Sequence, residues 1–261
     1  MAPPPTGRDS ADKLRILCSI TVHSLDSFDP INGSFQVKFT VVLKWFDARL
    51  SFNNLRSSPK INGLQPAEVD QIWFPYFIFD NTNKKETGLL DSKSSLKVMR
   101  MGEGILNGNQ DTENKYIFSG NENSIEYKRF YSQEFECEYG LHWYPFDTQI
   151  CYLDLKPTSD LKDFIKILTD EFLYEGPLDL TEFTVKKTEM RLENVTYEST
   201  LLRVEVRIQR RLLSLVLTAF IPTIILNTIG HMSNYFKEFF FEGLMSLNVT
   251  VMLVLTTMFL R

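Results

Sequence analysis

The stretch FQVKFTVVLKW, residues 35–45, alternates apolar and polar side chains with the two-residue period of a β-strand, broken only by Val42. The same alternation recurs at residues 14–22 and 202–208, and turn-forming stretches such as DPINGS at 29–34 separate the strand candidates. Many short strands without intervening helical periods predict a mainly β fold, an immunoglobulin-like sandwich of about ten strands over residues 12–210. The predicted core face of the first stretch comprises Phe35, Val37, Phe39, Val41, Leu43 and Trp45.

Two segments depart from this strand period. The Pro-rich residues 1–11 lack the apolar core of a signal peptide and are expected to form a disordered leader. Residues 160–176 have a weak period, which favours a long loop with one helical turn.

The C-terminal part of the sequence is apolar rather than alternating. Residues 212–232 and 243–260 carry no formal charge if His231 is neutral, and about 20 such residues span the hydrocarbon core as a helix. We therefore predict transmembrane α-helices after the sandwich, in contact with membrane lipid. The predicted transmembrane domain, 211–261, has a helix at 212–232, a linker at 233–242, which is cytoplasmic if the sandwich before it is extracellular, and a second helix at 243–261.

Charge and composition exclude several classes of function. The formal net charge of −5 gives no basic surface for nucleic acid. The histidines His23, His142 and His231 form no catalytic set, and no Gly-rich phosphate loop or C-x-x-C spacing occurs. No enzyme activity, cofactor or metal site is therefore expected.

Three cysteines need an explanation. Cys18 belongs to the apolar face of the strand at 14–22, so a buried thiol without a bridge is expected. Cys137 and Cys151 flank thirteen residues. Their spacing alone leaves a disulfide and two separate thiols both open.

The segment from Cys137 to Cys151, CEYGLHWYPFDTQIC, resembles the signature loop of Cys-loop receptors, the pentameric ligand-gated ion channels. WFDARL at 45–50, WFP at 73–75 with FIFDN at 77–81, and the spacing from Gln209-Arg210 to Pro222 also resemble this family. Within this family, we infer a resemblance to the nicotinic-like branch, and to an invertebrate orphan member of that branch. The family carries four membrane helices per subunit, whereas this sequence has two candidates and lacks the third and fourth.

The resemblance has direct implications for this chain. It implies a disulfide between Cys137 and Cys151, and an N-terminal domain outside the plasma membrane of a multi-pass protein. It also implies assembly with four further subunits, as a homopentamer, with a small extracellular agonist at the subunit interfaces. A secreted binding protein with the same sandwich, without a channel, is the alternative from another functional class.

The second apolar helix is similar to the pore-lining helix of the family. Rings of hydroxyl groups would coordinate ions, and a ring of leucines between them would close the pore. Hydroxyl groups of this kind also donate hydrogen bonds to the backbone of their own helix. A carboxylate ring at the entry favours monovalent cations, although the same acid also suits a helix N-terminus. Leu244 replaces the basic residue usual near this point in cation channels, and an anion-selective channel is the alternative. The predicted pore-lining residues are Glu242, Ser246, Thr250, Leu253, Thr257 and Leu260.

The ligand positions implied by the resemblance make a poor aromatic cage for a cationic amine. Acetylcholine is therefore not favoured, and the sequence does not identify the agonist. Asn194, in Asn-Val-Thr, is a predicted glycosylation site. The predicted ligand-binding residues are Thr40, Phe79, Asp80, Glu126, Lys128, Thr158 and Tyr197.

Coupling between the binding site and the pore is expected at the disulfide loop. Its tip would rest on the membrane helices, and Arg210 would pair with an acid of the first hairpin turn. Arg210 as a head-group anchor is the simpler alternative. The predicted coupling residues are Asp26, Asp29, Tyr144, Pro145, Phe146 and Arg210.

Overall fold

The computed structural model describes residues 13–64, 66–69, 71–82, 93–106, 116–194, 200–233, 235 and 241–259. The described strands are β1 (Leu14–Asp29), β2 (Ser34–Trp45), β3 (Ser51–Asn53), β4 (Phe77–Phe79), β5 (Ser94–Met99), β6 (Ile105–Leu106), β7 (Tyr116–Ser119), β8 (Ser124–Glu136), β9 (Thr148–Pro157), β10 (Ile165–Tyr174), β11 (Phe183–Asn194) and β12 (Thr200–Arg210). The helices are α1 (Pro66–Val69), α2 (Leu212–Leu215), α3 (Ile221–Ser233) and α4 (Phe241–Phe259). Short 3-10 turns occupy Pro59–Ile61 and Leu141–Trp143, and a π-helical turn occupies Val216–Phe220.

The twelve described strands exceed the ten or so expected, because several of them have only two to four residues. A five-stranded sheet has the order β10-β1-β2-β8-β5, and a four-stranded sheet has the order β11-β12-β9-β4. A small third sheet has the order β3-β7-β6. The chain divides into two compact units, one of residues 1–139, 149–177 and 186–207 and the other of residues 140–148, 178–185 and 208–261.

The core of the first unit lies between the five-stranded and the four-stranded sheets. All six residues of the predicted core face of β2 are buried, which confirms the prediction from their alternation. Phe39 of β2 meets Phe79 of β4 edge to face, with ring centroids 5.4 Å apart. Cys18 of β1 is a free, fully buried thiol, and burial raises the pKa of that thiol. These contacts make the region a β-sandwich.

The prediction of a loop at residues 160–176 is wrong for most of that range. Ile165–Tyr174 forms β10, which pairs in parallel with β1 from Leu14↔Ile165 onward. Only Ile165 and Ile167 of this strand are buried, because β10 is at the edge of its sheet. An edge strand with so few core positions carries little apolar alternation in its sequence.

The end of β2 is held by a tightly packed turn. The side chain of Asp47 is buried and accepts hydrogen bonds from the guanidinium of Arg49 at 2.9 and 2.7 Å. The N–H of Gly120 donates to the carbonyl oxygen of Leu50 at 2.9 Å. A Cβ atom at position 120 would lie 2.2 Å from the carbonyl oxygen of Asp47. Only glycine fits this approach of two backbone segments.

We expect Gly120→Ala to destabilise the first unit by about 1–3 kcal/mol, the usual cost of overpacking a well-packed site. The added methyl group would displace backbone, which relaxes less easily than a flexible side chain. Gly63→Ala is the matched control, because a Cβ atom there meets nothing within 4 Å. Thermal unfolding followed by circular dichroism measures both variants, and equal melting temperatures would contradict this assignment.

The helical part of the second unit begins directly after β12. α2, the π-helical turn and α3 follow one another without a break from residue 212 to residue 233. α3 and α4 are neighbours at Gly230, where a Cβ atom would lie 3.9 Å from Cγ1 of Val251. Within the described parts of the chain, no helix is both long enough and apolar enough to cross a membrane. The transmembrane domain of the sequence analysis stays a prediction.

Candidate functional site

A disulfide bond joins Cys137, just after β8, to Cys151 in β9. Cys151 is fully buried and Cys137 nearly so. The N–H of Cys137 also donates to the carbonyl oxygen of Gly33 at 2.7 Å, which fixes the end of β8 against the turn between β1 and β2. The disulfide bond therefore closes the loop that contains the run Tyr-Pro-Phe-Asp at residues 144–147.

The loop inside the disulfide exposes apolar side chains and buries one carboxylate. It contains the 3-10 turn at Leu141–Trp143 and a cis peptide bond between Tyr144 and Pro145. Trp143 is 73% exposed and Phe146 is 69% exposed, whereas Asp147 is 1% exposed. Exposed rings of this size on a soluble surface usually mark a contact with another surface.

Asp147 binds Arg210, the last residue of β12. The Nε and Nη2 atoms of Arg210 donate to the two carboxylate oxygens of Asp147 at 2.8 and 3.1 Å. The backbone N–H of Arg210 donates to the carbonyl oxygen of Asp147 at 3.3 Å. The side chain of Arg210 is only 9% exposed. Such a forked, shielded pair is geometrically specific and resists solvent screening.

Two aromatic rings enclose the guanidinium of Arg210. Its Cζ atom lies 4.6 Å from the ring centroid of Phe183 and 5.0 Å from that of Tyr144. Cations are attracted to aromatic faces at such distances. Arg210 thus ties the disulfide loop, the start of β11 and the end of β12 together at the residue that precedes the helices.

The carboxylate bound to Arg210 differs from the predicted ones. Asp26 instead bonds to Lys38 at 2.9 Å, and this hydrogen bond lowers the pKa of Asp26. Asp29 accepts the backbone N–H groups of Ile31 and Asn32, and the bond from Asn32 lowers the pKa of Asp29. Asp147 belongs to the Tyr-Pro-Phe-Asp run inside the disulfide loop, and its burial, which the sequence alone does not show, distinguishes it from the predicted acids.

Three predicted ligand residues lie around β4 and β9. Asp80 forms an ion pair with Lys156 of β9, and the N–H of Thr158 donates to the carbonyl oxygen of Tyr76 at 3.1 Å. Phe79 is 7% exposed and meets the rings of Phe39 and Phe135 in the core. Asp80 is therefore exposed and Thr158 half-buried at opposite ends of the β4–β9 pairing, whereas Phe79 is a core residue in this structure.

Three others lie on β2 and β8 of the five-stranded sheet. Lys128 is exposed, and Glu126 is 8% exposed and pairs with Lys97 at 3.0 Å. Thr40 is 5% exposed, because its hydroxyl lies 2.8 Å from Nε2 of His23. The structure thus places the predicted ligand residues in two groups on different sheets. Tyr197 lies outside the described residues, and so does the side chain of Asn194, whose backbone ends β11.

The predicted pore residues share α4. Glu242 lies in its first turn, and Ser246, Thr250, Leu253 and Thr257 follow on the helix with exposed side chains. Thr250 donates to the carbonyl oxygen of Ser246 at 2.7 Å and Thr257 to that of Val254 at 2.8 Å. These back-bonds match the simpler alternative of the sequence analysis and leave the hydroxyl oxygens able to accept or coordinate. Leu260 lies outside the described residues.

The chain is similar to known proteins over most of its length. The sequence profile of the neurotransmitter-gated ion-channel ligand binding domain matches residues 3–212. The human γ-aminobutyric acid receptor subunit gamma-1 is 22% identical over 254 residues, 92% of this chain and 48% of that protein. A glutamate-gated chloride channel of Drosophila melanogaster is 24% identical over 266 residues, 97% of this chain and 52% of that protein.

A serotonin-gated chloride channel of Caenorhabditis elegans is 20% identical over 220 residues, 82% of this chain and 41% of that protein. The chain thus spans about half the length of these relatives. The relatives are channel receptors by name, and none of these three names describes an enzyme. Since the profile covers most of its length, this chain belongs to the neurotransmitter-gated ion-channel ligand-binding domain family.

Proposed function

We propose that this chain is a subunit of a pentameric ion channel of the plasma membrane that an extracellular ligand opens. The observation that carries the proposal is the Arg210–Asp147 fork, which fixes the apolar disulfide loop to the last residue of β12, two residues before the helical segment begins. A secreted binding domain has no need of such a joint next to two apolar runs.

The membrane assignment is supported by the side chains of the helical segment. Leu213, Leu217 and Ile224 are between 56% and 65% exposed, and Val249 and Met252 are 61% and 70% exposed. Water penalises so many exposed apolar side chains, whereas lipid and neighbouring helices do not. Residues 211–261 are therefore proposed as a membrane domain, with the sandwich outside the cell.

The pentamer is supported by the separation of the predicted ligand residues into two groups. Asp80 and Thr158 follow strands of the four-stranded sheet, whereas Thr40, Glu126 and Lys128 lie on the five-stranded sheet. Contact between identical subunits in a ring would bring unlike surfaces together. Four further copies of the chain, in a homopentamer, would create five such interfaces for a small agonist.

Gating is proposed to use the fork as a two-state element. A ligand shifts an equilibrium only by its different affinity for the two states, so binding must favour one arrangement of this joint. The exposed rings of Trp143, Tyr144 and Phe146, with Pro145 between them, would rest on the membrane helices and transmit the change. A buried, forked ion pair favours discrete arrangements over gradual ones.

Charge selectivity is proposed to favour monovalent cations, because five copies of Glu242 would form a negative ring at one end of α4. Anion conduction is the second candidate, and the names of two relatives, both chloride channels, favour it. The nicotinic-like branch and the invertebrate source stay predictions from the sequence.

We expect Glu242→Ala to lower the ratio of cation to anion permeability by about tenfold, as the loss of a charged entry ring would. Glu242→Asp, which keeps the carboxylate, is the matched control and should leave the ratio nearly unchanged. The reversal potential in dilute external sodium chloride gives the ratio directly. A wild-type reversal potential that follows chloride would overturn cation conduction and favour the anion channel.

The experiment that tests the proposal is expression of the full-length polypeptide in oocytes with a panel of ligands. γ-Aminobutyric acid, glutamate and serotonin belong in the panel, because relatives are named for them. Ligand-evoked current supports the channel. Release of the protein from membranes by alkaline carbonate would instead favour the ligand-binding protein without a channel.

A further inference from the structure

The tip of the disulfide loop is uncharged and faces outward. Residues 139–146, YGLHWYPF, contain no Asp, Glu, Lys or Arg. Leu141, Trp143 and Phe146 are exposed. The N–H of Tyr144 donates to the carbonyl oxygen of Leu141 at 3.1 Å, and that of Phe146 donates to the carbonyl oxygen of Trp143 at 2.7 Å. The tip is therefore a hydrogen-bonded turn that presents apolar side chains.

Trp143 differs from its neighbour Tyr144 in its contacts. The ring of Tyr144 lies over the guanidinium of Arg210, so one of its faces is used within the protein. The ring of Trp143 meets the exposed imidazole of His142 edge to face, with centroids 5.2 Å apart. Among the residues that the structure describes, none accepts the indole N–H of Trp143. Trp143 thus presents a large apolar ring and one hydrogen-bond donor.

The position of this tip along the chain axis is set by the Arg210–Asp147 fork. Asp147 follows Trp143 by four residues, and its partner Arg210 is followed by Arg211 and by the apolar run that starts at residue 212. The fork therefore holds the tip beside the point where the last cations give way to uncharged residues. In membrane proteins, cationic side chains, Trp and Tyr concentrate at this point.

A second exposed apolar side chain is tied to the same point. The guanidinium of Arg211 donates to the carbonyl oxygen of Leu180 at 2.9 Å, and its backbone N–H donates to that of Glu182 at 2.8 Å. Leu178, two residues before Leu180, is 60% exposed. This segment and the disulfide loop belong to the same compact unit as the helices. Leu213, also exposed, follows Arg211 by two residues.

We propose that Leu141, Trp143 and Leu178 form an interfacial collar that lies in the headgroup layer of a lipid bilayer, with the indole of Trp143 as the main contact. The collar rests on the proposed function, because it requires the helical segment to lie in a membrane. Tyr144 and Phe146 keep their place against the membrane helices, and Trp143 lies at the lipid-facing rim of that contact.

The chemistry of Trp143 favours lipid headgroups over the other surroundings. Water penalises an indole ring and two leucines left exposed. The backbone carbonyl groups of a neighbouring helix are already bonded within that helix, so they offer the indole N–H no ready acceptor. The ester carbonyl and phosphate oxygens of a phospholipid accept this proton, while the upper acyl chains receive the ring.

Fluorescence quenching by brominated lipid tests the collar without the need for a current. The sequence has three tryptophans, and Trp45 and Trp73 are buried. The full-length polypeptide is placed in phosphatidylcholine vesicles whose acyl chains carry bromine close to the headgroup, bromine near the chain end, or none. Subtracting the emission of Trp143→Phe from that of the wild type isolates Trp143, since any other tryptophan cancels. Trp73→Phe is the matched control.

We expect bromine close to the headgroup to lower the isolated emission of Trp143 about threefold, because the ring would lie at that depth. Bromine near the chain end and iodide in the water should each lower it much less. The emission isolated with Trp73→Phe should not respond to any of these quenchers, because that ring is buried in the sandwich. Trp143→Tyr supplies the same subtraction if Trp143→Phe does not fold.

Two results would overturn the collar. Quenching of Trp143 by iodide but not by brominated lipid would place the ring in water. Quenching by neither would place it against protein, on the helices or on a neighbouring subunit.

The outcome also separates the collar from the proposed function. Lipid quenching of Trp143 in a polypeptide that gives no ligand-evoked current supports the collar and counts against the channel. Ligand-evoked current from a polypeptide whose Trp143 is quenched only by iodide overturns the collar and leaves the channel intact.

Discussion

Replacing Arg210 by alanine is expected to reduce the ligand-evoked current at least about tenfold while the receptor still reaches the cell surface, because removal of one partner of a buried ion pair costs about 3–5 kcal/mol. The carboxylate of Asp147, 1% exposed, would be left without the guanidinium that it binds. The joint between the disulfide loop and β12 would loosen. Voltage-clamp recording with surface biotinylation measures current and expression in the same cells.

The double variant Arg210→Ala/Asp147→Ala separates the loss of the joint from the cost of a buried carboxylate that has lost its guanidinium. It should recover part of the stability lost in Arg210→Ala, since the buried carboxylate is then removed as well, but it should not recover the current. Lys187→Ala removes an exposed ion pair of β11 and is the control, with an expected cost below about 1 kcal/mol. Wild-type current from Arg210→Ala would refute the coupling role and leave Arg210 a head-group anchor.

Replacing Cys151 by serine is expected to destabilise the protein by about 3 kcal/mol and to prevent most of it from reaching the surface, as loss of a disulfide around a loop of about fifteen residues predicts. Cys151 is fully buried, so the serine hydroxyl would also lie in an apolar site. Cys137→Ser should have a similar effect, because each variant breaks the same bond.

Cys18→Ala is the matched control for both cysteine variants. Cys18 is equally buried but forms no bond, so its loss should cost about 1 kcal/mol and spare surface expression. Surface biotinylation and thermal unfolding measure all three variants. If Cys151→Ser matched Cys18→Ala in both measurements, the disulfide would have no structural role of its own.

The sandwich could be predicted because its central strands have one buried face. In β2, every apolar residue of the predicted face is buried, and in β12 the same holds for Leu202, Val204, Val206 and Ile208. Alternation of this kind reports burial directly, because neighbouring side chains of a strand point to opposite faces. Local sequence therefore contains the information that assigns these strands.

The features that the sequence did not predict depend on contacts between residues that are distant in sequence. β10 is an edge strand whose pairing with β1 joins residues about 150 positions apart, and its own period is weak. Arg210 binds an acid 63 residues away, and the sequence gives no reason to choose Asp147 over the acids of the first hairpin. A charge pair has no periodic signature, so only the folded chain identifies its members.

The exposure of the predicted ligand-binding residues could not be predicted from the sequence either. The resemblance implies a ligand role for Thr40, but the imidazole of His23 lies against it, with Nε2 2.8 Å from its hydroxyl oxygen. Phe79 was assigned in the same way and packs in the core. The packing of the folded chain therefore decides which of the implied ligand residues are exposed.

A ligand on the outer side is proposed to open a pore formed by this chain. Single-channel recording from outside-out patches that carry the full-length polypeptide tests it most directly. We predict discrete unitary currents when a ligand of the panel reaches the outer face, and none from the Arg210→Ala variant. Ligand binding at the surface of such patches without any unitary current from the wild-type protein would contradict the claim.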